Sequence, residues 1–333
     1  MKIHGLHHVT AIAGDAQRNL DFYTGVLGLR LVKNTVNFDD PGSYHFYFGD
    51  ALGTPGSILT FFAWPGAKRG VRGSGEVEAT AYAIPEHSVS YWLERLKRYR
   101  VHADTVSSRF GQQVLRFSDP DGMVIELVAS RQPHETGHQD YQSAIAGIPP
   151  WSDNPVPAEH EIRSFYGVTA NIAQPEMTSL VLTEVLGYTL VGQEGDRTRY
   201  VAPGTDGLPG HPFDVLATPK LARGRQSAGT VHHVAMRVKD DAEQVAWLEK
   251  LQALGFRTSP VMDRVYFHSI YFREPGGILF ELATNPPGFT HDEKLEDLGT
   301  SLRLPANLER SRSQIEQYLP KLTLPGRQVL VGQ

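Results

Sequence analysis

Four stretches of the chain share one pattern: a strand-like run, apolar positions at helical spacing, then further strand-like runs. The first begins at His7-His8-Val9-Thr10-Ala11-Ile12. Asp15 is placed to cap a helix whose apolar face is Leu20, Tyr23 and Val26/Leu27. Leu27-Gly28-Leu29 closes that helix, with Gly28 suited to its C-terminal cap. Strands are predicted over Arg30–Val36, Tyr44–Phe48 and Ser57–Phe62.

The last stretch is the closest echo of the first. Val231–Val238 reads as a strand, Asp240 or Asp241 as a cap, and Val245, Leu248 and Leu251 as the apolar helix face. Leu254-Gly255-Phe256 ends the helix, and strands follow near Arg264–Phe267, Ser269–Phe272 and Ile278–Ala283, with a turn at Glu274-Pro275-Gly276-Gly277. The second stretch has strand Val77–Ile84, helix Ser88–Tyr99 with Val89, Trp92, Leu93 and Leu96 inward, and a closing strand Val124–Val128. The third has strand Phe165–Ile172, helix Glu176–Leu186 and a closing strand Phe213–Leu216. Ser130–Glu161, rich in Pro, Gly, Gln and His, reads as a linker.

The predicted fold class is therefore α+β: four βαβββ modules that pair into two half-open mixed β-barrels with helices outside. In chain order the expected domains are 1–145 (modules one and two), 155–290 (modules three and four) and a tail over 291–333.

Equivalent positions in the modules carry different chemistry. In the first strand, modules one and four place His8 and His233 where two and three have Ala79 and Gly167. In the last strand the matched residues are Thr60, Glu126, Asp214 and Glu281 in modules one to four. A strand alternates its faces, so a first-strand and a last-strand ligand can point into one concave mouth. If modules one and four share a barrel, His8, His233 and Glu281 meet there as two imidazoles and a carboxylate, a set that leaves metal positions open. Pairing one with two and three with four would put His8 and His233 in different barrels, neither with a full ligand set, so one-with-four and two-with-three is expected. Glu281 lies in an apolar strand, where a carboxylate is costly unless paired or metal-bound. Glu126 has the same apolar flanks but no histidine partner.

Composition narrows the chemistry further. The 333 residues contain no Cys, so disulfides, thiolate metal sites, iron–sulfur clusters and Cys nucleophiles are excluded. A metal must be held by carboxylates and some of the 14 His. A net charge of −5 gives no footprint for nucleic acid, and no apolar run is long enough to cross a bilayer. The N-terminal residues lack the apolar core of a signal peptide, and a cytoplasmic location is expected.

The run His7-His8-Val9-Thr10, then Leu20-Asp21-Phe22-Tyr23, Val26-Leu27-Gly28-Leu29 and Leu31-Val32, resembles the vicinal oxygen chelate superfamily. Nearly the whole chain is similar to the ring-cleaving dioxygenases of hydroquinones and chlorinated or methylated hydroquinones. The segments that carry this are Tyr44–Phe48, Leu52–Gly56, Arg109–Gln112, His232-His233, Pro275–Gly277 with Phe280-Glu281, and Gly288–Glu293. The resemblance implies an Fe(II)-dependent, sometimes Mn(II)-dependent, enzyme acting on an aromatic diol and O2, and a homo-oligomer. It implies metal ligands at His8, His233 and Glu281, and supporting roles for His7, Thr10, His232, Arg264 and Tyr271. By parity Thr10 shares the face of His8, whereas His7 and His232 should face away unless a bulge turns them. His45 and His268 lie on strands without an assigned role.

Two other functions use such a fold. A glyoxalase-type isomerase or lyase usually wants four protein ligands, and Thr60 replaces the fourth. A metal-free binding module of the bleomycin-resistance kind needs no histidine at the matched positions.

Overall fold

The computed structural model describes residues 1–130, 145, 147–204 and 210–325. Much of the linker read at Ser130–Glu161, namely 131–144 and 146, lies outside the described residues. Module one runs β1 (Leu6–Ala13), α1 (Ala16–Asp21), β2 (Arg30–Asn37), β3 (Asp40–Gly49) and β4 (Ile58–Ala63). Module two runs β5 (Glu76–Pro85), α2 (Val89–Arg98), β6 (Ser107–Arg109), β7 (Gln112–Ser118) and β8 (Val124–Ser130). Module three runs β9 (Phe165–Ile172), α3 (Pro175–Leu180), β10 (Thr189–Glu194), β11 (Arg197–Val201) and β12 (Pro212–Ala217). Module four runs β13 (Val231–Val238), α4 (Asp241–Ala253), β14 (Met262–Asp263), β15 (Phe267–Arg273) and β16 (Leu279–Pro287).

The strands form two eight-stranded sheets. One has the order β14-β15-β16-β13-β1-β4-β3-β2, the other β10-β11-β12-β9-β5-β8-β7-β6. Module one thus joins module four through the antiparallel β1–β13 pair, and module two joins module three through β5–β9. Each sheet takes strands from both halves of the chain. In every module the first strand runs parallel to the last. The four closing residues align in register: Thr60 beside Thr10, Glu281 beside Ala235, Glu126 beside Ala81 and Asp214 beside Thr169.

Local signals explain the helix ends. Asp15 and Asp240 accept the backbone N–H of Arg18 and Glu243 respectively, satisfying helix-start donors. Gly28 has φ 70°, which only glycine adopts cheaply, and a Cβ there would come within 2.4 Å of Asn154 Oδ1.

Three expectations need correction. The inward face of α4 is Gln244, Trp247 and Leu251, while Val245 is exposed. Trp247 is the bulkier payload and rotates the helix to bury it, and Gln244 follows because it can donate to the His268 and Leu282 carbonyls. In α2, Leu93 is turned outward and Arg95 inward, where it bonds the Val26 and Gly25 carbonyls. The strand expected near Arg264–Phe267 is replaced by a loop at 264–266, in which Val265 has φ 69° and takes the chain out of extended geometry.

One apolar core runs through both sheets and the helices, and a smaller cluster around Val32, Tyr47, Phe267 and Phe289 lies beneath the mouth of the first barrel. The tail straps that barrel. Lys33 of β2, fully buried, donates to Asp292 Oδ1 at 2.6 Å, to Glu293 and to the Phe289 carbonyl. No helix among the described residues is long and apolar enough to cross a membrane.

Candidate metal centre

β1 and β13 bring His8 and His233 face to face, with Nε2 atoms 3.3 Å apart although 225 positions separate them in the chain. Glu281 on β16 adds Oε2 at 2.8 Å from His233 Nε2 and 3.4 Å from His8 Nε2. All three residues are buried, and they form the cluster of potential metal donors found among the described residues. Glu281 Oε2 is buried without an aligned hydrogen bond, despite those short approaches. Three ligand atoms that converge on one point with lone pairs unspent fit a cation better than each other. Glu281 Oε1 is held separately by the Ser269 hydroxyl. Burial by itself raises the Glu281 carboxyl, but the neighbouring His8 and His233 outweigh it and hold the group well below its ordinary range.

The two adjacent histidines do not face away. Register breaks between Leu6 and His8 on β1, and across Thr10/Ala11 opposite His233 and Val231 on β13. His7 and His232 are the extra residues of two symmetric bulges, which return their side chains to the ligand side. His7 Nδ1 lies 2.9 Å from His8 Nδ1, and His232 Nδ1 lies 2.8 Å from His233 Nδ1. If each ligand keeps Nε2 bare for a cation, its Nδ1–H donates to the neighbouring ring. Burial above all, then the facing imidazoles, pushes His7 well below its ordinary value and His232 down to about 3, and burial lowers His233. His7, His232 and His233 are therefore kept neutral, as the ligand His233 must be.

A cavity of about 320 Å³ opens beside the donors. Thr10, His232, Arg264 and Tyr271 line it, and His7 does not. Arg264 Nε donates to Tyr271 Oη at 3.3 Å and its Nη1 approaches Asp39 at 3.3 Å. Burial raises the Tyr271 phenol, the nearby Glu281 adds to that, and Arg264 partly offsets both. The opposite wall holds residues the sequence reading left without a role. His45 and Tyr47 stand on the same face of β3, and Tyr47 pairs with Thr60 just as Tyr271 pairs with Glu281. That repeat equivalence was the available signal for Tyr47. His268 faces outward to Asp241 at 2.6 Å and does not line the cavity.

Glu126 and Asp214 occupy the matched places in the second barrel. Arg109 grips Glu126 through two bonds of 2.7 and 2.8 Å, and Arg199 grips Asp214 through two of 2.8 Å.

A fold of paired βαβββ modules with donors at one mouth defines a class. The chain belongs to the Glyoxalase/Bleomycin resistance protein/Dioxygenase superfamily, whose family model matches residues 5–127 and 169–282. Among its relatives is a protein of Bacillus subtilis (strain 168) named "Putative ring-cleaving dioxygenase MhqO", 45% identical over 96% of each chain. Another is the chlorohydroquinone/hydroquinone 1,2-dioxygenase of Sphingobium indicum, 34% identical over 94% of this chain and 95% of the relative. A crystal structure from Bacillus subtilis subsp. subtilis str. 168 covers 97% of this chain and 98% of its own, with a TM-score of 0.88 and 45% identity.

Proposed function

We propose that this protein is an Fe(II)-dependent ring-cleaving dioxygenase that inserts O2 into a hydroquinone- or catechol-type aromatic diol, with Mn(II) as the other candidate metal. The observation that supports it most is the convergence of His8, His233 and Glu281 within 4.8 Å of one another, with both imidazoles on the wall of an aromatic-lined cavity. The names of the relatives, each a ring-cleaving or hydroquinone dioxygenase, point the same way.

The donor set fits such a metal: two imidazoles, one carboxylate and, among the described residues, no fourth protein ligand, since Thr60 is tied to Thr10 at 2.8 Å. A bound Fe(II) would supply open positions for a phenol oxygen and O2, acidify the phenol and pass electron density between ring and O2. The chain's own residues do the rest. Phe38, Phe62, Trp64 and Phe267 give the cavity apolar faces for a planar ring. Arg264 supplies a fixed positive charge for an anionic oxygen, and Tyr271, kept protonated by burial, can donate a hydrogen bond at the same place. His7 and His232 hold the ligand rings in the tautomer that leaves Nε2 free.

The test is anaerobic loading with Fe(II) or Mn(II), followed by O2 uptake with hydroquinone and with catechol. Uptake of one O2 per ring opened is expected. No uptake with either diol by protein carrying one metal per chain sinks the assignment. A glyoxalase-type reaction would instead show turnover of methylglyoxal–thiol adducts with Ni or Zn.

A further inference from the structure

We propose that His45, acting through Thr60, takes up the proton that a substrate hydroxyl gives to Thr10. The inference rests on the preceding reading for the identity of the substrate, but not for its geometry.

Thr10 lines the cavity two positions along β1 from His8. Its Oγ1 lies 2.8 Å from Thr60 Oγ1, and Thr60 Oγ1 lies 3.0 Å from His45 Nε2. The other ring nitrogen, Nδ1, lies 3.1 Å from the Tyr47 hydroxyl. All of these residues are buried. An unbroken line of three polar groups therefore runs from Thr10 on the cavity wall through Thr60 to an imidazole on the same cavity, whose other nitrogen is also hydrogen-bonded.

The repeat shows what this line replaces. Tyr47 opposite Thr60 in module one matches Tyr271 opposite Glu281 in module four, so His45 matches Ser269. Ser269 bonds a carboxylate that faces the metal donors. His45 bonds a hydroxyl that carries no charge. Module one has exchanged a ligand and its orienting hydroxyl for a hydroxyl and a base.

The transfer balances. The substrate O–H bond breaks and its electron pair stays on the substrate oxygen. The proton joins Thr10 Oγ1 as Thr10 passes its own to Thr60, and Thr60 passes its own to His45 Nε2. His45 leaves as imidazolium, its Nδ1–H donating to Tyr47 Oη. Burial, then the facing His8 and His233, lowers the His45 ring well below its ordinary value, so it waits neutral, with Nε2 turned to the Thr60 hydroxyl. The charged or titratable groups that face it are His8, His233, Arg264 and Glu281 across the cavity and Tyr47 beside it. His45 is thus a positioning and relay residue, with Thr10 as the group that meets the substrate.

The probe is 4-nitrophenol, whose anion is coloured, added without O2 to Mn(II)-loaded protein. In the wild type the bound phenol should ionise below its solution value. In H45N and in T60V its apparent pKa should rise by about one unit, about tenfold in proton affinity. The double variant should lose no more than either single one, and T60S should behave as wild type, with one metal per chain throughout. In steady state, kcat should fall at least about tenfold with KM within about threefold. Loaded H45N and T60V that ionise the phenol at the wild-type pH overturn the proposal. If those variants fail to fold, the wild type decides alone: the ionisation rate against the fraction of D2O should bow, as several protons in flight require, and a straight line overturns the relay. Oxygen uptake by the wild type tests ring cleavage separately, so either reading can fail without the other.

Discussion

The two barrels are built from the same module twice over, yet among the described residues only one mouth gathers a set of potential metal donors. In the first, the first strands offer His8 and His233, the bulges His7 and His232, and the strands opposite the closing residues Tyr47 and Tyr271. In the second, the same places hold Ala79 and Gly167, Glu78 and Tyr166, and Arg116 and Arg199. The carboxylates at the closing positions survive in three modules of four. What differs is the positive charge they face. In the second barrel Arg109, Arg116, Arg197 and Arg199 neutralise Glu126 and Asp214 from within the chain. In the first, Glu281 approaches His8 and His233 and accepts from the Ser269 hydroxyl, and no arginine is bonded to it among the described residues. A mouth can keep its acid and lose its metal when guanidinium groups fill the space, because a bidentate Arg–carboxylate pair meets the same electrostatic demand.

The comparison can be broken most severely at the ligands. His233→Ala or Glu281→Gln should abolish metal binding and O2 uptake together, measured by metal content after desalting. The matched change Glu126→Gln should leave metal content intact and instead cost about 3–5 kcal/mol of stability, since it leaves Arg109 facing a neutral amide in a buried place. Denaturant midpoints check this, and loss of metal from E126Q would show that the barrels are not independent. A smaller effect is expected at the bulges. His7→Ala and His232→Ala should each weaken metal affinity about 10–100-fold, read by competition with a chelator.

A further effect concerns acid. His7, His45, His232 and His233 all have folded values below the ordinary 6.5. Between 6.5 and those values the unfolded chain binds protons that the folded one does not, so stability falls as pH falls through this range and is fully present above it. Metal-free protein should therefore take up protons on unfolding at pH 5.5, and its thermal midpoint should drop from pH 7 to 5.5. A midpoint unchanged over that interval would contradict the burial assigned to these rings.

Much of this was legible in the chain. The helix caps Asp15 and Asp240, the Leu-Gly stops and the matched His8, His233 and Glu281 all appear as local pattern or repeat position. The pairing of modules one and four followed from the need of two distant histidines for one carboxylate. The differences are local as well: helical spacing puts Val245 on the inner face of α4, but Trp247 governs which face is buried.

By itself the sequence determined the module, its repeat and the kinds of atom offered to a metal, because alternation, capping and residue chemistry depend on covalent neighbours. Only the tertiary structure decided that His7 and His232 turn back toward their ligands and that Thr60 meets His45. It also decided that four arginines pair with the carboxylates of the other mouth. A bulge is a mismatch between two paired strands, and a hydrogen-bond chain across three strands depends on their register. Neither exists until segments far apart in the chain have been laid side by side.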